Sequence, residues 1–278
     1  MKKLFIWGQS GFIGKLLKEH FYKKSLDVSM IGRNKDCHFT INLACTTDIP
    51  NSIDNNSIVF FLSAISSPDI CDNDSIYAEK INLTNTSIII KKLINTGAKV
   101  VFFSTDMIYG NLTKACDEST SPTPDTNYAL WKYLIEKDFR EYDNFITLRL
   151  SYLCDRNDKF TSFLLNSANG QTIEIFDPFH RSMIHSDDFL KIIDLCIKDD
   201  PSMPKILNVC GQRCVSRVEY VKSFSDYINL SWKPIVMPDD FRKNRPESII
   251  MKSVHIQNLI SFSWTNPGDG ILNQLKND

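Results

Sequence analysis

The chain opens Lys3-Leu4-Phe5-Ile6-Trp7-Gly8-Gln9-Ser10-Gly11-Phe12-Ile13-Gly14, an apolar run broken by three evenly spaced glycines. The run predicts a buried strand, and the spacing of Ile13, Leu16, Leu17 and Phe21 predicts a helix over 13–22. The glycines predict a tight turn between the two. Gly8 can take backbone angles closed to other residues, Gly11 lets the main chain approach an anion, and Gly14 lets the helix lie against the sheet. Unpaired N–H groups at the helix start, with the helix dipole behind them, suit a pyrophosphate. The turn therefore points to a dinucleotide, held by Gly8, Gly11, Phe12, Ile13 and Gly14, although the commoner spacing is G-x-G-x-x-G. A merely glycine-rich strand–helix turn is the competing reading.

Residues 25–31 read as a second strand ending in Gly32-Arg33-Asn34. An NAD-selective site usually holds an acidic residue here, on the ribose hydroxyls. Arg33 suits a 2′-phosphate instead, so NADP(H) is expected; NAD(H) stays open because Asp36 could serve the ribose. Residues 39–45 form a weak third strand. Residues 57–65 are a continuous β-prone run, as in a parallel strand covered on both faces. Residues 77–94 read as one long helix stopped by Gly97, followed by the strand Lys99-Val100-Val101-Phe102-Phe103. A polar loop over 111–127 leads to a helix from Asn127 or Tyr128 through Glu136, then a strand over 145–150. The alternation predicts an α/β fold with a Rossmann-type, doubly wound parallel sheet.

Past residue 150 the rhythm changes. A helix over 160–168, a short strand over 172–176 and a helix over 187–197 capped by Ser186 are expected. A strand over 206–209 and a helix opened by Ser216, with Glu219 completing a capping box, follow. Residues 1–150 are thus expected to form an NAD(P)-binding domain. Residues 151–278 are expected to form a smaller C-terminal substrate-binding lobe, with segments that can return to the main sheet.

The 278 residues suffice for a large core, and 32 basic against 33 acidic residues offer no charge block for nucleic acid or an anionic membrane. No apolar run is long enough to span a membrane, and Gly8 cuts the N-terminal run too short for a signal segment. A cytoplasmic location is expected. Eight cysteines without a secretion signal read as free thiols, and only five histidines argue against a zinc cluster.

Chemistry collects beyond the strand at 99–103, in Ser104-Thr105-Asp106-Met107-Ile108-Tyr109-Gly110, where open α/β sheets bind ligands. Tyr128 and Lys132 lie one helical turn apart and can present to one face. An adjacent ammonium is expected to favour the phenolate, bringing proton transfer within reach. Tyr128 would give a proton to a carbonyl oxygen as nicotinamide gives a hydride, Thr105 would hydrogen-bond that oxygen, and Lys132 would hold the nicotinamide ribose. Ser104 is the alternative hydroxyl. A chance amphipathic Tyr–Lys contact and turn-forming roles for Thr105 and Asp106 are the structural alternatives.

Together these residues resemble the extended short-chain dehydrogenase/reductases of the NAD-dependent epimerase/dehydratase group, and within it the sugar-nucleotide reductases that act on dTDP-4-dehydrorhamnose. The likeness implies that Ser63, Ala64 and Ile65 line the cofactor and that Asn82 is the family's helix asparagine. It implies catalysis by Thr105, Tyr128 and Lys132, with Ser104, Thr105, Asp106 and Arg181 on the substrate. Arg181 falls in the segment Arg181-Ser182-Met183-Ile184-His185-Ser186-Asp187-Asp188, whose arginine approaches the substrate diphosphate, and Arg245-Pro246 is similar to a late Arg-Pro element. Phe179 or Tyr109 could pack on a base or sugar, while His180 and His185 read as structural. Ala129 stands where glycine is more frequent. Met107 stands where the 4,6-dehydratases carry Glu, and a thioether cannot shuttle the protons of water elimination. The implied activity is NADPH-dependent reduction of the 4-keto group of a nucleoside-diphosphate-4-keto-6-deoxysugar. A 4-epimerase with retained NAD and a catalytically idle dinucleotide-binding regulatory protein remain alternatives, and a homodimer stays open.

Overall fold

Strands β1 (Lys3–Trp7), β2 (Val28–Gly32), β3 (Phe39–Thr40), β4 (Ser57–Phe61), β5 (Lys99–Thr105) and β6 (Phe145–Leu150) share one sheet with the strand Ile206–Val209. This computed structural model describes residues 2–112, 114–198, 202–242, 245–259 and 263–277. The sheet order is Ile206–Val209, β6, β5, β4, β1, β2, β3, so the chain starts inside, winds to one edge and then to the other. Every pairing among β1 to β5 is parallel. Helices α1 (Phe12–Lys23), α2 (Pro68–Asn73), α3 (Ser75–Glu79), α4 (Thr86–Asn95) and α5 (Asn127–Phe139) connect and cover these strands.

The expected apolar runs are buried because both faces are covered. Phe5, Val59, Phe61, Val100 and Phe102 pack with Ile89, Ile90 and Leu93 of α4 and with Ile135 and Phe139 of α5. On the alternate positions, Phe60 meets Phe21 of α1 with ring centres 5.3 Å apart. β3 stops early, at Thr40, because Asn42 turns the chain: its Oδ1 accepts from Ala44 N at 3.1 Å.

The single helix expected over 77–94 is instead α3, a widened π-type turn Lys80–Asn85, and α4. The polar residues inside that run are the cause. Thr86 Oγ1 donates to the Ile81 carbonyl five residues back at 2.7 Å, and Asn85 Nδ2 donates to the Leu43 carbonyl at 2.5 Å. Such turns inside helices often mark functional sites.

The chain divides into two compact units. One comprises Met1–Ile108, Pro124–Arg149 and Asp194–Leu207; the other comprises Tyr109–Thr123, Leu150–Ile193 and Asn208–Asp278. The second unit pairs Ile173–Asp177 in parallel with Trp232–Val236 over a core that includes Leu164, Ile175, Tyr220, Phe224 and Ile271. Its helix starts differ from expectation in detail. Ser186 is itself the first residue of the helix Ser186–Lys198, and its hydroxyl donates to Asp155 Oδ2 at 2.6 Å. Ser216 does accept from Glu219 N at 2.9 Å, but the Glu219 carboxylate pairs with Arg213 and leaves the capping box open. All eight cysteines are free thiols. No helix among the described residues is long and apolar enough to cross a membrane, and those residues hold no metal-binding group of His, Cys, Asp and Glu.

Candidate active site

The glycine turn is built for close approach. Gly8 sits at φ +107°, and a Cβ there would lie 2.9 Å from both N and Oγ of Ser63. A Cβ on Gly14 would come within 2.4 Å of the Gly8 carbonyl. At Gly11 the nearest atom is that same oxygen at 3.6 Å, so this side of the turn is open. Gly11 caps α1 without a side-chain acceptor, which leaves the first N–H groups of the helix, Phe12 and Ile13 included, without a side-chain cap. An open main-chain face at the positive end of a twelve-residue helix fits a dinucleotide pyrophosphate.

Asn82 holds the wall opposite in sequence. Its Oδ1 accepts from Ile65 N at 2.8 Å and its Nδ2 donates to Ile65 O at 2.9 Å, fixing the segment Ser63-Ala64-Ile65 as it leaves β4. After β2, Arg33 is exposed and its side chain makes no hydrogen bond or ion pair among the described residues. Asp36 has one carboxylate oxygen engaged by Gln9 Nε2 at 3.2 Å.

Thr126 caps α5 by accepting from Ala129 N at 3.3 Å, which places Tyr128 in the first turn. Lys132 donates from Nζ to the Phe103 carbonyl at 2.7 Å and lies 4.6 Å from the Phe102 ring centre. That bond ties α5 to the end of β5, directly before Ser104 and Thr105. The Thr105 hydroxyl donates to Asp106 Oδ1 at 3.5 Å and accepts from Met107 N at 3.3 Å. Ser104 Oγ is buried without a hydrogen-bond partner among the described residues. The first unit thus holds the glycine turn, Arg33, Ser63 to Ile65, Ser104 to Asp106, Tyr128 and Lys132, while Arg181 belongs to the second.

The electrostatics differ from the expected ammonium–phenolate pair. Burial pushes the Tyr128 phenol well above its ordinary value, and Cys71 and Asp106 push it further. Lys132 Nζ is 5.9 Å from the Tyr128 ring centre and donates a hydrogen bond to the Phe103 carbonyl. A phenol held protonated at neutrality is the form that donates a proton. Lys132 is itself lowered by burial to about 8, with the Glu136 carboxylate foremost in opposing the change.

In the second unit, Arg181 is buried, with Nη1 on the His180 carbonyl at 2.7 Å and Nη2 on the Pro246 carbonyl at 2.8 Å. Sequence reasoning missed its neighbour Arg217. The Arg217 guanidinium centre lies 4.0 Å from the Phe179 ring and 5.5 Å from Phe241, with Arg181 4.2 Å from Phe179 and Arg245 4.5 Å from Phe241. Burial lowers Arg217 to about 10, and the like charges of Arg181 and Arg245 add to this against Tyr152 and Asp158. Three guanidinium groups interleaved with aromatic rings can accept an anion of more than one charge. One signal was legible: Arg217 opens a helix right after its Ser216 cap, where a cation works against the dipole. Tyr109 is core, its hydroxyl fixed by Asp117 O at 2.8 Å and Asn208 Oδ1 at 3.0 Å. His185 is buried against Gly270, and His180 Nδ1 faces Ser248 Oγ at 3.2 Å.

Residues 4–210 match the model of the NAD dependent epimerase/dehydratase family. A search of curated proteins finds no match. Among solved structures, dTDP-4-dehydrorhamnose reductase from Bacillus anthracis in complex with NADP is 19% identical, with a TM-score of 0.82 and 97% of each chain covered. MoeE5 in complex with UDP-glucuronic acid and NAD is 18% identical, with a TM-score of 0.80 over 100% of this chain and 99% of that one. UDP-glucose 4-epimerase from Thermotoga maritima with UDP-glucose is 18% identical, with a TM-score of 0.71 over 88% of this chain and 89% of that one.

Proposed function

The chain belongs to the NAD dependent epimerase/dehydratase family, and from that premise we propose that it reduces the 4-keto group of a nucleoside-diphosphate-4-keto-6-deoxysugar with NADPH. The observation that carries this reading is the Lys132–Phe103 bond, which sets the Tyr128 helix against the end of β5 where Thr105 and Asp106 emerge. When bound, NADPH supplies the hydride that reaches C4. Tyr128, held protonated by burial, gives its phenolic proton to the developing alkoxide. The Thr105 hydroxyl, now donated to Asp106, rotates to hydrogen-bond the same oxygen. Lys132 holds the nicotinamide ribose and stabilises the phenolate left behind. Gly8, Gly11, Gly14 and the start of α1 hold the pyrophosphate, with Ser63 to Ile65 along the cofactor. Arg33 takes the 2′-phosphate. Arg181 and Arg217 take the diphosphate of the sugar nucleotide.

The test is a panel of 4-keto-6-deoxysugar nucleotides in which product and NADPH are followed together. The reductase consumes one NADPH per product. Conversion without net oxidation would replace it by an epimerase with retained NAD, and cofactor binding with no conversion by an idle member of the family. Arg33→Ala is expected to weaken NADPH binding about tenfold while leaving NADH binding nearly unchanged; equal losses would remove Arg33 as the selector.

A further inference from the structure

Glu136 lies one helical turn beyond Lys132 on α5, at 1% exposure. Its Oε2 accepts from Arg149 of β6 twice, from Nε at 3.0 Å and from Nη2 at 2.8 Å. Its Oε1 is buried and has no hydrogen-bond partner among the described residues. A carboxylate in so dry a place is costly unless its charge is used, and Arg149 engages one oxygen only. Tyr128, Lys132 and Glu136 fall four apart, so all three share one strip of the helix. The direct contacts of the Lys132 ammonium are a carbonyl and a ring, both neutral.

We propose that Glu136, clamped by Arg149, is a positioning residue that keeps Lys132 in its ammonium form inside the buried site. The importance of that charge rests on the role given to Lys132 above; the coupling itself does not.

The charged and titratable groups around Lys132 single out Glu136. From α5 come Glu136 and Tyr128, from α2 Cys71 with Asp72 beside it, from the end of β5 Asp106, and from β6 Arg149 behind Glu136. Tyr128 and Cys71 are held protonated, Cys71 chiefly by burial at about 11, so neither brings negative charge near neutrality. Asp106 acts on Tyr128. Glu136 opposes the loss of the Lys132 proton more strongly than any other group. Without its charge, burial would lower Lys132 further than it does.

The experiment is an NMR titration of the full chain with 13Cε- and 15Nζ-labelled lysine, Lys132 being assigned by the signal lost in Lys132→Met. In Glu136→Gln, which preserves shape and one hydrogen-bond acceptor, the Lys132 midpoint is expected to fall by about one to two pH units. An unchanged midpoint in the folded variant would overturn the proposal. Should the uncompensated Arg149 prevent folding, Glu136→Gln/Arg149→Met replaces it; because the Arg149 cation leaves with the carboxylate, a smaller fall of about half a pH unit to one is expected, and its absence is equally fatal. NADPH affinity gives the second readout. Glu136→Gln should bind about tenfold more weakly at pH 7.5 and recover near pH 6, where Lys132 regains its proton, a recovery that a merely structural defect would not show. A lowered midpoint with unaltered NADPH affinity would uphold the coupling and count instead against the cofactor role of Lys132.

Discussion

Replacing Lys132 by Met tests the buried ammonium through stability, independently of any substrate. The side chain is 4% exposed, and burial lowers its pKa from 10.5 to about 8 against the pull of Glu136. At roughly 1.4 kcal/mol per pH unit, keeping it charged near neutrality costs about 3 kcal/mol relative to the unfolded chain. Methionine removes that cost but strips the Phe103 carbonyl of its donor at 2.7 Å. A buried acceptor left alone loses about 1–3 kcal/mol, so the variant should equal or exceed the wild type in stability at pH 7 by up to about 2 kcal/mol. The pH dependence is sharper. Between about pH 8 and 10.5 the unfolded lysine still holds the proton that the folded one has released, so wild-type stability rises with pH through that window. The variant lacks this contribution. Urea unfolding at pH 7 and pH 10 should therefore show the difference between the two proteins moving by about 2–3 kcal/mol in favour of the wild type at high pH. A difference that stays constant between the two pH values would refute the account of a strained, buried charge.

Other substitutions probe separate parts of the site. Gly14→Ala places a Cβ 2.4 Å from the Gly8 carbonyl and 2.7 Å from Gln9 Cα. It should cost about 1–3 kcal/mol in thermal or urea unfolding and weaken NADPH binding with it; full affinity in a stable variant would mean the helix does not need that approach. Arg217→Met should raise KM for the sugar nucleotide about tenfold or more and leave NADPH affinity unaltered, and an unchanged KM would detach the arginine–phenylalanine cluster from the substrate. Tyr128→Phe should lower kcat by about 10²–10⁴ with cofactor affinity retained, measured by NADPH oxidation and fluorescence titration; unimpaired turnover would remove it as the proton donor.

The parts legible in the sequence are those that local geometry dictates. Gly8 at φ +107° and Gly14 against the Gly8 carbonyl are needs of one short turn, and the turn alone implies them. Residues 58–61 of β4 and 100–103 of β5 are continuously apolar because both faces are covered. What stayed hidden depends on partners distant in the chain. Asn82, Asn85 and Thr86 were visible as polar interruptions of a helix, but only contacts to Ile65, Leu43 and Ile81 make them a widened turn. The Tyr128–Lys132 spacing suggested a phenolate, yet burial and the Phe103 carbonyl decide the charge states instead. Beyond its place against the helix dipole, nothing local marks Arg217, because the rings that surround its charge come from residues 160, 176, 179 and 241. The polar loop Tyr109–Thr123 belongs to the second unit, where Tyr109 and Asn208 share a hydrogen bond across 99 positions of sequence.

The most direct measurement follows the hydride itself. Turnover of a 4-keto-6-deoxysugar nucleotide with NADPH carrying deuterium at C4 of the nicotinamide, one face at a time, is read by mass spectrometry and NMR of the product. The account predicts one deuterium at sugar C4 per NADPH oxidised, from one face only. Product carrying no deuterium, or formed while the labelled NADPH stays intact, would contradict it.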